Sequence, residues 1–393
     1  MDCGSVEQRR ARLVGRHLLD GSGSSAAGAA RAVVALHASD PASVYLSALA
    51  RARDLSLDDV ATEMYDDRSL VRLMAMRRTL FVVPLERAPV VHHAVSLDVA
   101  ATIRKRLVQQ LRTLPTDPPL PDDPEALDAW LRDVEAGVTR AAQELGSASG
   151  AQLGRAEPRM RTAILPSTDK AYDVRRTVTT QILTLMGADG HLVRSRPMGS
   201  WTSRQHTWEP ATNVWPDGIP EIGRDEARDR LVEDYLRAFG PVTEADIAWW
   251  TGWSLGVTRK ALARLETAEV QSGLVMADDT GPVAVPEPSA ALLPALDPTP
   301  MGWKERDWFL PADRTSLYDR MGNIGPTIWW AGEVVGAWAT RPDGSIATQL
   351  LCDRGQEARR AVAGVAEQLH ERLDDAVVTP SFPTPLAKQL ASS

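Results

Sequence analysis

Three residues with useful chemistry stand close together in the string His37-Ala38-Ser39-Asp40-Pro41. The imidazole of His37 can position a water molecule and take its proton, because its unperturbed pKa lies near about 6.5. The hydroxyl of Ser39 can hold the same water or a phosphate oxygen. The carboxylate of Asp40 adds negative charge beside them, which would favour any positive charge that develops there. The same string also has a plainer reading. Asp40 before Pro41 is then the N-cap and first position of a helix that runs to Arg53, and Ser39 bonds local backbone.

A second set of residues could meet phosphates. Arg77 and Arg78 lie in Leu73-Met74-Ala75-Met76-Arg77-Arg78-Thr79-Leu80-Phe81-Val82-Val83-Pro84, a strand pair crossing a basic turn. Arg194, Arg196, Trp201 and Arg204 flank a second ribbon, and Arg259, Lys260 and Arg264 lie along a third segment. Phosphate contact is one reading and a solvated face is the other. Asn323 to Thr327 form a tight glycine-containing loop beside a hairpin, suited to a groove or to a plain turn. No metal or cofactor is expected. Cys3 and Cys352 are too few for a metal cluster or a disulfide framework, and no nearby carboxylate or cysteine completes a site with His92-His93.

The elements that must position these residues follow from periodicity. Four helices are expected before residue 70: 5–19, 27–36, 41–53 and one opened by Ser56-Leu57-Asp58-Asp59. With the 73–84 strand pair they make a first unit, 1–114, with the pattern of a winged helix. The proline-rich string Leu114-Pro115-Thr116-Asp117-Pro118-Pro119-Leu120-Pro121 reads as a linker. A second unit, 122–222, holds a long helix at 124–145, a helix turn at Ser149-Gly150, a helix at 173–187 and a ribbon over 191–204. The third, 223–393, is the clearest. A helix over 225–238 precedes Thr243-Glu244-Ala245-Asp246, a capping-box-like start. Thr251-Gly252 then separates two short helices in a helix-turn-helix pattern, and 270–285 supplies a wing. Strands near Leu292 and over 328–339, then a helix over 354–373, complete it. The expected class is mainly α with small β-ribbons (α+β).

The chain has 393 residues, a formal net charge of −8 and 44% hydrophobic residues. That is an ordinary globular composition. The acidic balance argues against a general nucleic-acid binder, although only a groove-facing surface needs to be positive. The polar start, Met1 to Arg10, carries no secretory apolar region, and no run of about 18 apolar residues predicts a membrane span. A reducing cytoplasm is the expected setting.

Several strings together resemble the AlkZ-type winged-helix DNA glycosylases of bacteria. They are Leu293-Pro294-Ala295-Leu296-Asp297-Pro298 through Met301-Gly302-Trp303-Lys304-Glu305-Arg306, then Gly322-Asn323-Ile324-Gly325-Pro326-Thr327-Ile328-Trp329-Trp330 leading to Val335-Gly336-Ala337-Trp338. Met76-Arg77-Arg78-Thr79-Leu80 and Gly199-Ser200-Trp201-Thr202 add to them. The resemblance implies three tandem winged-helix units in a C-shaped body around duplex DNA. It also implies monofunctional excision of N7-alkylguanine, bulky adducts or interstrand crosslinks, in repair or in self-resistance to alkylating antibiotics. The implied partner is double-stranded DNA carrying alkylated purines, and a monomer is expected. The family's catalytic triplet before Asp-Pro is commonly Gln-x-Gln. Here it is His37-Ala38-Ser39, so His37, Ser39 and Asp40 are the implied catalytic residues. A non-catalytic DNA-binding protein, such as a regulator or lesion sensor, is the alternative. A protein-interaction scaffold is a further class.

Overall fold

The computed structural model describes residues 3–168, 170, 171 and 174–393. Residues 1, 2 and 173, which enter the readings of the N-terminus and of the 173–187 helix, lie outside the described residues. The chain is mixed α/β and divides into two compact units. One comprises Met1–Val71, Thr79–Arg87 and Arg228–Ser393; the other comprises Arg72–Arg78 and Ala88–Ala227. Among the described residues no helix is long and apolar enough to cross a membrane.

The first unit carries the polar triplet. The expected helix over 27–36 ends early, at Ala32. Leu36–His37 is instead a short strand, pairing antiparallel with Val82 and Phe81. It belongs to a three-stranded sheet in which Leu80–Pro84 lies between it and Leu70–Met74. The next helix, Pro41–Arg51, is buried at every residue but Ala50. A helix covered on all sides is core, so its ends are fixed by packing. It lies against a four-stranded antiparallel sheet, in the order Ala290–Leu293, Thr327–Trp330, Glu333–Thr340, Ile346–Leu350. The helices Gly355–Leu373 and Pro385–Ser392 also pack on this sheet. Two of its tryptophans close the core, Trp329 at 1% exposed and Trp338 at 2%, with Phe309, 1% exposed, packed on Trp329 from outside the sheet.

The same unit holds the helix-turn-helix segment. Thr243 and Asp246 form the expected capping box of Glu244–Thr251. Gly252 ends that helix at φ 80, a left-handed backbone that glycine adopts without a Cβ clash. Leu255–Leu262 follows, then the hairpin Thr267–Val270 and Gly273–Met276.

In the second unit, Pro124–Leu145 forms over the expected range, with Asp123 as its side-chain cap. Ala148–Ser149 is a short strand, followed by the helix Gly150–Ala156 and, later, Thr179–Ala188. The hairpin Leu192–Pro197 and His206–Pro210 returns to pair with Ala148–Ser149 through its second strand. A short strand, two helices and a hairpin therefore recur in one order at 36–84, at 148–210 and, with the bridge between Val242 and Leu274, at 242–276.

Candidate functional site

The triplet sits where the strand Leu36–His37 hands over to the helix Pro41–Arg51. The amide of Ala38 donates to the Leu80 carbonyl at 2.8 Å, which fixes the backbone on both sides of His37 and Ser39. His37 is 9% exposed, with its ring edge-to-face against Phe81 at 5.1 Å. Ser39 is exposed. Asp40 is 5% exposed and occupies the N-cap position, yet its side chain makes no capping bond. Its Oδ2 instead accepts from the backbone N–H of Ser381 at 2.9 Å and from the Ser381 hydroxyl at 3.1 Å. The equivalent residues of the other two strand-helix-helix-hairpin segments behave differently. Ser149 and Thr243 each cap their own helix through a full capping box. A missing cap costs about 1 kcal/mol, so the first segment forgoes stability that the other two keep.

The opposite end of the same helix is held by a buried ion pair. The Arg51 guanidinium donates in bidentate fashion to Asp297 at 2.7 and 2.8 Å, and both side chains are fully buried. Ser47 donates to Asp297 at 2.6 Å, and the Thr299 amide donates at 2.9 Å. Despite burial, the guanidinium and these donors hold the Asp297 carboxyl below its ordinary pKa. His17 closes the network. Its Nε2 lies 3.1 Å from the Ala238 carbonyl and its Nδ1 3.0 Å from the Thr299 hydroxyl. A carbonyl only accepts, so Nε2 carries the proton and Nδ1 accepts from Thr299. Burial and the nearby Arg51 push the His17 pKa down to about 3, so its ring is neutral. The string Leu293 to Pro298 thus has a structural role, because Asp297 anchors the helix that begins at the triplet.

A cavity of about 230 Å³ opens beside Asp40. Its walls are mainly apolar, with Leu46, Pro294, Pro326, Trp338 and Ala391 among them. Among the described residues, Asp40 and Lys388 are its only ionisable lining groups.

The second unit presents a separate basic groove of about 920 Å³. Arg155, Arg161, Arg194 and Arg204 line it, together with Thr180 and Thr184 of the Thr179–Ala188 helix. No carboxylate lines it among the described residues. Arg194 is half-buried, with its guanidinium 4.8 Å from the centre of the Trp208 ring. Burial lowers its pKa to about 10, which leaves it charged near neutral pH. Arg204 and Arg196 are exposed along the hairpin, and Trp201 is half-buried in its loop. Arg155 and Arg161 were missed by the sequence reading. Arg155 lies in the last turn of the short helix Gly150–Ala156 and Arg161 ends the 3-10 turn Pro158–Arg161, elements too short for a periodic pattern to single them out.

The remaining expected contacts fare unevenly. Arg77 and Arg78 are exposed in a turn at φ 53 and φ 59. Left-handed backbone costs a non-glycine residue about 1–2 kcal/mol, and such strain gathers at functional sites. Arg259 is spent in an ion pair with Glu244 at 2.8 Å, and Arg264 in one with Asp229 at 2.6 Å, while Lys260 is exposed. Asn323 bonds back to Asp319 through Nδ2 at 2.8 Å. Thr327 requires a correction. It is fully buried within a strand, and its hydroxyl accepts from the Trp329 indole at 2.9 Å. It therefore offers no surface to a groove, and Met321, 81% exposed, forms the loop's tip instead.

Residues 30–373 match the AlkZ-like family, described as DNA glycosylase AlkZ-like. The structure of the Streptomyces sahachiroi DNA glycosylase AlkZ resembles this one with a TM-score of 0.70 and 18% identity, over 96% of this chain and 98% of that one. At that identity the likeness is one of fold. No curated protein matches the sequence.

Proposed function

The chain belongs to the AlkZ-like DNA glycosylase family, and from that premise we propose that it hydrolyses the N-glycosidic bond of alkylated purines in duplex DNA. N7-alkylguanine, with bulky adducts and crosslinks through the same atom, is the substrate class. Family membership makes the chain a DNA glycosylase and displaces a purely structural or regulatory reading.

An N7-alkylated guanine already carries positive charge on its ring, so it leaves without protonation. What remains is to place a water on the sugar and to stabilise the cation that forms there. His37 orients that water and takes its proton as the bond forms. Ser39, exposed beside it, holds the water or the flanking phosphate. Asp40 contributes negative charge. The observation that carries this reading is the diversion of Asp40. In three segments of like order, only this one gives up its helix cap, and it does so next to the polar triplet.

The recurrence of short strand, two helices and hairpin supports three winged-helix units. Helix Thr179–Ala188 with its threonines, and the carboxylate-free arginine groove beside it, suit phosphate contact by the second of them. Release of the modified base from a duplex containing N7-methylguanine, beside an undamaged duplex, tests the proposal. Excision from the damaged strand alone is the expected result, and an inert protein at high enzyme excess overturns it.

A further inference from the structure

The chain from Val378 to Thr384 passes the triplet as a strap fastened at three points. The Val378 amide donates to the Thr340 hydroxyl at 2.9 Å, and that hydroxyl donates to the Val378 carbonyl at 2.9 Å. Ser381 donates to Asp40 through its amide and its hydroxyl, at 2.9 and 3.1 Å. Thr384 accepts from the Ala387 amide at 3.3 Å and caps the last helix. Pro380, Pro383 and Pro385 stand among these points, and each fixes its own φ. The strap therefore has little freedom left to lose.

It carries Phe382, which is 54% exposed. Among the described residues no other phenylalanine, tyrosine or tryptophan is exposed. A lone apolar side chain at a surface is ordinary. This one differs in being braced on both sides and set one residue from the contact with Asp40. A partner that covers the ring gains the benefit of burial at little ordering cost, because the backbone is already fixed. Charge indicates the partner. From Ala376 to Ser393 there is no acidic side chain, and Lys388 is basic, in a chain of formal net charge −8. A polyanion meets no side-chain repulsion from this segment, and the exposed Ser39 lies directly before Asp40.

We propose that Phe382 contacts duplex DNA at the base step next to the modified nucleotide and enters that step as an apolar wedge. The proposal rests on the glycosylase reading for its ligand and goes beyond it, because it gives a residue far from the triplet in sequence the task of opening the stack. Phenylalanine is among the side chains that part base steps. An aromatic ring also stacks on the base it uncovers, whatever the sequence. The two bonds from Ser381 to Asp40 fix the ring's distance from the triplet. The wedge and the water-holding groups then act on neighbouring nucleotides.

The test uses the full chain and a duplex holding 2′-fluoro-N7-methyl-2′-deoxyguanosine, whose fluorine keeps the glycosidic bond intact. Its neighbour is 2-aminopurine, which brightens when unstacked. Wild type should raise the 2-aminopurine emission several-fold at saturation. Phe382→Ala should remove most of that rise and weaken duplex binding about tenfold, at an unchanged urea midpoint, because the side chain is more than half exposed. Phe382→Leu, still an apolar wedge, should keep most of the rise, a selective rescue that a merely structural role would not give. The proposal is overturned by a wild type that leaves 2-aminopurine dark, or by a Phe382→Ala that brightens it as wild type does. It is overturned equally by a Phe382→Leu no better than Phe382→Ala. Base release is measured separately on the duplex without fluorine. A chain that releases the base while 2-aminopurine stays dark keeps its glycosylase reading and loses this one. A chain that brightens 2-aminopurine but releases nothing does the reverse.

Discussion

Replacing Asp297 by asparagine preserves shape and removes charge at the fully buried partner of Arg51. Arg51 then keeps its guanidinium in a site with no exposure and no counter-charge. Breaking a buried ion pair by removing one member costs about 3–5 kcal/mol, because the orphaned charge stays desolvated. The geometry argues for the upper part of that range, since two short bonds and the Ser47 and Thr299 contacts depend on the carboxylate. For a folding unit of this size each kcal/mol lowers the melting temperature by roughly 2–4 °C, so a drop of about 10 °C or more is expected. Scanning calorimetry and urea unfolding read it directly. The double variant Arg51→Met with Asp297→Asn should recover at least half of the loss, because no charge is then left buried. The consequence for the site is also measurable. Hydrogen exchange at Ala38, whose amide is held by Leu80, should quicken in the single variant as the 41–51 helix loosens. A melting point for Asp297→Asn within about 2 °C of wild type would refute the reasoning, because the network would then not anchor the helix behind the triplet.

Acid should destabilise the fold before carboxylates protonate. His17 has its folded pKa pushed to about 3 from 6.5. The unfolded chain therefore binds a proton that the folded one refuses, so stability is full above pH 6.5 and falls toward pH 3, by up to about 1.4 kcal/mol per unit. Urea midpoints from pH 7 to 5 should decline with a slope that His17→Gln reduces; an unchanged slope refutes the assignment. Arg161→Ala and Arg204→Ala should each weaken duplex binding and lower its salt dependence by about one unit of slope. Arg259→Ala, whose guanidinium is already paired with Glu244, should do less, and equal effects would contradict the groove. Thr327→Val should leave duplex affinity unchanged while costing about 1–3 kcal/mol of stability, because the Trp329 indole loses its acceptor. Weakened duplex binding by a stably folded Thr327→Val would speak against that burial.

The periodic elements were legible in sequence because their cause is local. Pro124–Leu145 shows its apolar stripe and its capping aspartate, and the Thr243-Asp246 box announces Glu244–Thr251. The ribbon at 70–84 shows in apolar runs on either side of two arginines. The strand bearing His37 was not legible. Two residues carry no period, and the preceding alanines favour a helix that ends only because Leu36 and His37 find partners in Val82 and Phe81. Nor could sequence reveal Arg51 with Asp297, since 246 positions separate them and each alone resembles a surface charge. Asp40 shows the limit most sharply. Its place before Pro41 fits a helix cap, and only the return of Ser381 to the same point draws its side chain away.

Single-turnover base release by His37→Ala, beside wild type and His37→Gln, on a duplex containing N7-methylguanine tests the central claim most directly. The account predicts release by wild type, a loss of about 10²–10⁴-fold in His37→Ala measured at a temperature where the variant stays folded, and partial retention in His37→Gln, whose amide still orients water. Release by His37→Ala at the wild-type rate would contradict it.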